Sequence, residues 1–195
     1  MYFFKGIELR RFKIQFISFS AFFFLASSIN IASAAETLSE NERLLRAAFI
    51  YNFTKFTYWP DSAVTSKDSP LFICSIGEDK QVDSLKKLNN KRIKNHTVVI
   101  RSLQNEKYTN NCHVLYIAAS ANKQVNNITN TIRTRPVLTV SSISNFSHSG
   151  GMIEFFRENK KTRFKINLTA VTNAGLKISS RLLILAVIIN NGTEK

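Results

Sequence analysis

Between Leu71 and Val140, short apolar runs alternate with segments of helical periodicity, and this alternation admits very few architectures. Leu71 to Ile76, ended by Gly77, is a nearly continuous apolar run. Thr97 to Ser102, Asn111 to Ala118 and Pro136 to Val140 follow as further strands. Runs of this kind suit strands covered on both faces. Gln81 to Leu88 reads as a short helix. Ala121 to Arg133 reads as another, with Val125, Ile128 and Ile132 recurring at helical spacing. Strands separated by helices pair in parallel and place those helices across the sheet faces. The expected class is therefore α/β: a single three-layer domain with a mixed, mostly parallel sheet, helices on both faces and a C-terminal β-hairpin.

That hairpin is read after Gly150-Gly151, where Met152 to Arg157 and Thr162 to Leu168 flank the polar turn Glu158-Asn159-Lys160-Lys161. Arg163, Lys165 and Asn167 alternate with Phe164, Ile166 and Leu168, which predicts one wetter face, as at a sheet edge. Upstream, Ser39 to Tyr58 predicts an amphipathic helix. Its apolar stripe would run through Leu45, Ala48, Phe49, Asn52, Phe53 and Phe56, widened by Leu44, Ala47 and Tyr51, with a Ser39/Glu42 capping box at its start and Pro60 as its stop. Downstream, Gly175 reads as a helix C-terminal residue and Ser179 or Ser180 as a cap. Arg181 to Ile189 reads as the last helix.

The N-terminal stretch sets Lys5, Arg10, Arg11 and Lys13 against Glu8, then runs apolar from Ile14 to Leu25 and ends in Ala32-Ser33-Ala34-Ala35. This order predicts a cleaved export signal over residues 1–34 and a periplasmic domain over residues 35–195. An uncleaved membrane anchor is the alternative. Without the signal the formal charge falls from +14 to +11. A basic domain attracts polyanions, and export moves the expected partners from nucleic acid to lipid headgroups, lipopolysaccharide and acidic protein faces. Cys74 and Cys112, the only two cysteines, read as a disulfide in an oxidising compartment, with two buried thiols as the alternative.

Catalytic patterns are missing from this sequence. The loops after Ile76, Ser102, Ala118 and Val140, where a doubly wound sheet binds ligands, hold no glycine-rich phosphate fingerprint. His96, His113 and His148 lack metal-ligand spacing, and no serine occupies a nucleophile elbow. No catalytic residue, metal or cofactor is expected. Asn52 interrupts an apolar stripe and needs partners. Ser179 and Ser180 could cap a helix or meet an anion. Tyr58 and Trp59 are candidate partner-binding aromatics.

Several blocks resemble one known family. Arg46-Ala47-Ala48-Phe49-Ile50-Tyr51-Asn52-Phe53-Thr54-Lys55-Phe56 with Trp59-Pro60 looks like the opening block of the YfiR family. Cys112 to Tyr116, Arg135 to Val140, Gly150 to Ile153, Arg163 to Leu168 and Gly175 to Leu183 follow in the same order. The resemblance implies structural roles for Asn52, Pro60, Gly150, Gly151, Ser179 and Ser180. It implies a Cys74–Cys112 bridge, while a second bridge seen among relatives has no cysteines here near Asn145 to Gly151. It further implies a periplasmic inhibitor of a membrane diguanylate cyclase of YfiN type, relieved by an outer-membrane protein of YfiB type. A homodimer stays open, and a periplasmic small-ligand sensor is the alternative function.

Overall fold

The computed structural model describes residues 38–190 and 193–194, apart from 65 and 67. The expected export signal lies outside the described residues. Leu38–Lys195 form one compact unit. Helix α1 (Glu40–Phe56) leads into a two-residue strand β1 (Thr57–Tyr58). There follow β2 (Leu71–Ile76), α2 (Lys80–Lys86), β3 (Arg92–Ile93), β4 (His96–Leu103) and β5 (Val114–Ile117). A 3-10 turn then runs into α3 (Val125–Ile132), followed by β6 (Leu138–Ser141), β7 (Ile153–Glu158) and β8 (Lys161–Asn167). The chain closes with α4 (Leu168–Asn173), β9 (Lys177–Ile178), α5 (Ser180–Leu183), β10 (Val187–Asn190) and β11 (Thr193–Glu194).

One sheet takes the order β11-β10-β8-β7-β6-β5-β2-β4-β3, with β1 and β9 paired apart from it. From β4 through β7 every pairing is parallel. The hairpin β7–β8 is antiparallel, as expected, and turns through Asn159 and Lys160, both with positive φ. Two successive left-handed residues make the hairpin turn that matches the twist of its strands.

Alternating residues of each strand feed two cores, which is what makes three layers. Leu71, Ile73, Val114, Tyr116, Phe155 and Phe164 pack with Ala47, Ile50 and Phe53 of α1 and with Val82 and Leu85 of α2. Cys74, Ile76, Leu115 and Ile117 face the other way, onto Val125, Ile128 and Ile132 of α3. The first core centres on phenylalanines: Phe53 lies 4.8 Å from Phe164 and 5.5 Å from Phe155, and Phe49 lies 5.6 Å from Phe164. In the second, Phe146 fills the space beside Gly151, where an added Cβ would stand 2.2 Å from its ring.

Four local expectations are corrected. The segment Arg181 to Ile189 is not a helix: α5 stops at Leu183, and β10 adds to the sheet parallel to β8. Two backbone ladders outweigh the helical periodicity of a stretch rich in Leu and Ile. Consequently β8 is not an edge, although Arg163 on its outer face is exposed. Helix α1 ends at Phe56, before Pro60, because Thr57 and Tyr58 turn extended and pair with Ile178 and Lys177. Finally, the inward face of α1 is Arg46, Ala47, Ile50, Phe53 and Thr54, and Leu45 is 48% exposed. Of the predicted stripe, Ala47 and Phe53 are in the core and Phe49, Tyr51 and Phe56 pack partly buried against it, whereas Leu45 and Ala48 turn outward because the buried Arg46 shifts the inward face. The start of α1 is as expected, with Ser39 Oγ accepting from Glu42 N.

Cys74 and Cys112 are disulfide-bonded, with Cα atoms 5.9 Å apart across a sequence separation of 38. The bridge joins β2 to the residue pair that precedes β5, two strands already in register. In the chain-entropy account, closing a loop of that length stabilises the fold by about 4 kcal/mol. Cys74→Ser and Cys112→Ser should therefore each lower the unfolding free energy by a similar amount, about 4 kcal/mol, in urea titrations under oxidising conditions. Clearly unequal losses would contradict this account of the bridge.

Candidate functional site

A doubly wound sheet binds ligands where its strand order reverses. Here the chain runs from β2 out to β4 and returns to β5 on the other side, so the reversal lies between the carboxyl ends of β2 and β5. That crevice is filled by the protein itself. Gly77, with φ of +78°, lies so close to the next loop that a Cβ would stand 2.6 Å from Ser120 Oγ. Glu78 N donates to that hydroxyl at 2.7 Å. One oxygen of Asp79 accepts from Gln81 N and Val82 N at 2.8 and 3.0 Å, capping α2. The other accepts from the Tyr116 hydroxyl at 3.0 Å and Ala119 N at 3.2 Å. Burial, and then the negative charge of Asp79, push the Tyr116 phenol well above its ordinary pKa, so it remains a donor.

Beside this crevice, Arg46 on α1 reaches over the ends of β6 and β7. Its Nη1 donates to Ser142 Oγ at 2.7 Å, and its guanidinium lies 5.4 Å from the Phe155 ring centre. Glu42, one turn earlier, is 3.9 Å from Arg46 Nη2 and 3.3 Å from Arg157 Nε, and accepts from Thr162 Oγ1 at 3.0 Å. Burial pulls the Arg46 pKa below its ordinary value, and Glu42 pushes it back up. This is a buried charge held by partners from three elements, and it fixes the roll of α1 about its axis. Sequence reasoning missed it. The available signal was a Glu and an Arg four residues apart on a helix, the spacing of an ion pair.

The residues singled out from the sequence fall into two places. Asn52, Tyr58, Trp59, Pro60, Ser179 and Ser180 gather about the end of α1. Asn52 does not tie the helix to a neighbouring loop; its Nδ2 donates to Ala48 O of its own helix at 3.0 Å. Tyr58 is 54% exposed. Trp59 turns inward, partly buried, with its ring 6.1 Å from His113 and edge-on to it. Its indole Nε1 is buried with no hydrogen-bond partner among the described residues. The two aromatics line a groove of about 170 Å³ with Lys94 and His96. The Pro60 carbonyl accepts from Ala63 N, opening a turn. Ser179 N donates to Phe56 O at 2.9 Å, and its carbonyl accepts from the amides of Leu182 and Leu183. Its side chain makes no capping bond, so the serine closes the β1–β9 ribbon through its backbone. Gly150 and Gly151 lie elsewhere, against Thr129 of α3 and Phe146.

Two apolar residues overlooked in the sequence stand out on the surface. Ile184 is 82% exposed and Leu185 59%, both on the link from α5 to β10. Reading this stretch as a continuous amphipathic helix concealed them, since one face of such a helix would have been expected inside.

His113 works as a structural tie. Its Nδ1 accepts from Phe72 N at 3.0 Å, and its Nε2 is 3.1 Å from the Ala63 carbonyl, to which it must donate. The ring is therefore neutral and joins β2, β5 and the loop after Pro60. Among the described residues no cluster of His, Cys, Asp or Glu has the make-up of a metal site, and no helix is long and apolar enough to cross a membrane.

A family model described as YfiR/HmsC-like matches residues 43–187, from the first turns of α1 to the first residue of β10. No curated protein matches the chain.

Burial lowers the His113 pKa below 6.5, outweighing the proton-favouring bond to Ala63. The unfolded chain takes up a proton near pH 6.5 that the folded ring refuses. The stability due to this group is complete above that pH and declines as pH falls below it. The urea midpoint should drop between pH 7.5 and 5, and His113→Gln should flatten that drop even though it costs stability throughout. An unchanged pH slope in the variant would show that other groups control it.

Proposed function

Because the chain belongs to the YfiR/HmsC-like family, we propose that it is a periplasmic regulator, rather than an enzyme, that restrains a membrane-bound diguanylate cyclase. The observation that carries this reading is the family match over both cores and the whole parallel sheet. The filled crevice at the strand-order reversal supports it, since Asp79, Ser120 and Gly77 occupy the place where a small-ligand sensor of this architecture would be expected to bind. The remaining cleft at that end, lined by Glu78, Lys80, Asp83 and Lys86, presents both signs of charge, with Lys86 and Asp83 already paired.

The contact face we assign begins at Tyr58, passes through β9 and α5, and ends at Ile184 and Leu185. The ribbon pairing with Lys177 and the bond from Ser179 N to Phe56 O hold Tyr58 in place. Exposed aliphatic side chains at a rigid turn suit a protein interface. Inhibition follows if this face binds the periplasmic segment of a YfiN-type cyclase more tightly in its inactive state, since only differential affinity shifts a conformational population. Moving a two-state cyclase from 1:99 to 99:1 takes about 5.5 kcal/mol of such difference. A YfiB-type outer-membrane protein would relieve the restraint by competing for the regulator.

Deleting the gene in cells that express the cognate cyclase should raise cyclic di-GMP, and unchanged levels would refute the regulatory reading. The exported Ile184→Asp/Leu185→Asp variant should leave the unfolding free energy within about 0.5 kcal/mol, because both side chains are largely exposed. It should nonetheless raise cyclic di-GMP to the deletion level. Full restraint by a normally abundant variant would place the contact elsewhere.

A further inference from the structure

The corner around Tyr58 concentrates positive charge that the fold does not use. Tyr58 and Lys177 stand directly opposite each other in the β1–β9 ribbon, so their side chains leave by the same face, and both are exposed. Lys94, on the turn between β3 and β4, brings its Nζ to 5.3 Å from the Tyr58 ring centre. Lys55 lies on the last turn of α1, its Nζ 5.8 Å from the Phe56 ring. The Tyr51 hydroxyl, donating to Arg92 O at 2.7 Å, draws the β3 segment with Lys91 against the same helix.

Two lysines on α2 and its end are paired, Lys86 with Asp83 and Lys87 with Glu40. Lys55, Lys91, Lys94 and Lys177 have no carboxylate partner among the described residues. Asp61, just past Pro60, is the acid nearest to Tyr58 along the chain.

The composition of this corner selects its partner. A defined carboxylate on an acidic protein is best met by arginine forks. Here Arg92, on the β3 segment, already donates to Asn95 O at 3.2 Å, and the basic side chains set beside Tyr58 are Lys94 and Lys177. Lysines are compact, hydrated point charges on flexible stems, suited to a diffuse field of phosphates. A tyrosine with an apolar ring and a polar tip belongs at the level of lipid headgroups. We propose that Lys94 and Lys177 beside Tyr58, with Lys55 on the last turn of α1, dock the domain on an anionic phospholipid surface. The docking corner shares Tyr58 and β9 with the contact face assigned above but does not rest on that reading, since a vesicle contains no cyclase.

The compact unit of residues 38–195, which holds both cores and the disulfide, is mixed with vesicles of phosphatidylethanolamine and phosphatidylglycerol, or of neutral phosphatidylcholine, and sedimented. Binding is expected on the anionic vesicles only, with release at high salt. Each basic side chain near such a surface contributes about fivefold to partitioning, so Lys94→Gln/Lys177→Gln should weaken binding about 25-fold. Lys107→Gln/Lys123→Gln, far along the chain, should leave it unchanged. Equal binding to neutral vesicles, or parental binding by the Lys94/Lys177 variant, would overturn the proposal. So would capture of a soluble Asp/Glu-rich peptide by this corner with no sedimentation on anionic vesicles. Because cyclic di-GMP is not read in this experiment, its failure leaves the regulatory reading standing.

Discussion

Four donors converge on the Asp79 carboxylate, and much of the domain depends on that meeting. Two are the first amides of α2, one is the amide that follows β5, and one is the buried hydroxyl of Tyr116. A carboxylate so placed caps a helix, ties the loops after the two central strands to each other, and fixes the side chain at the middle of the larger core. It also occupies three amides, of Gln81, Val82 and Ala119, at the strand-order reversal. The same bonds fill the centre of the sheet from within, which is why the contact face we propose lies at the periphery.

That periphery is set by α1. Arg46 and Glu42 bind the helix to Ser142, Arg157 and Thr162, while Phe49 and Phe53 interleave with Phe155 and Phe164. With the roll of the helix determined, its end delivers Tyr58 outward and Trp59 inward, and the ribbon with β9 carries that geometry on to α5. The regulator we propose needs a surface whose shape is settled before the partner arrives, and these contacts settle that of the Tyr58 corner.

The architecture was legible because central parallel strands leave an unmistakable trace: Leu71 to Ile76 and Val114 to Ile117 are apolar throughout, and helical spacing at Val125, Ile128 and Ile132 separates them from β6. The disulfide was legible from cysteine number and compartment. Where reading failed, a long-range partner had overruled a local pattern. Val187 to Asn190 lies in a strand because β8 offers it a ladder, and the β-branched run Val187-Ile188-Ile189 was the local signal that the helical reading passed over. Arg46 is buried because Ser142 and Glu42 receive it, so a charged residue marked the inner face of α1 while Leu45 marked the outer. Of the site, the exposed Tyr58 was visible as a motif. Its lysine neighbours were not, since Lys94 and Lys177 approach it from distant parts of the chain.

The phenylalanine cluster also bears on how the protein is made. A chain is synthesised from its N-terminus, so α1 exists long before the hairpin that covers it. Until β7 and β8 follow, Phe49 and Phe53 have no Phe155 or Phe164 to pack against, and the helix offers its aromatic side to whatever is nearby. Such unburied surface on an incomplete chain invites aggregation. The aromatic side of the first helix is thus completed only by the late hairpin, and the unfinished chain carries that exposed surface until β7 and β8 are made.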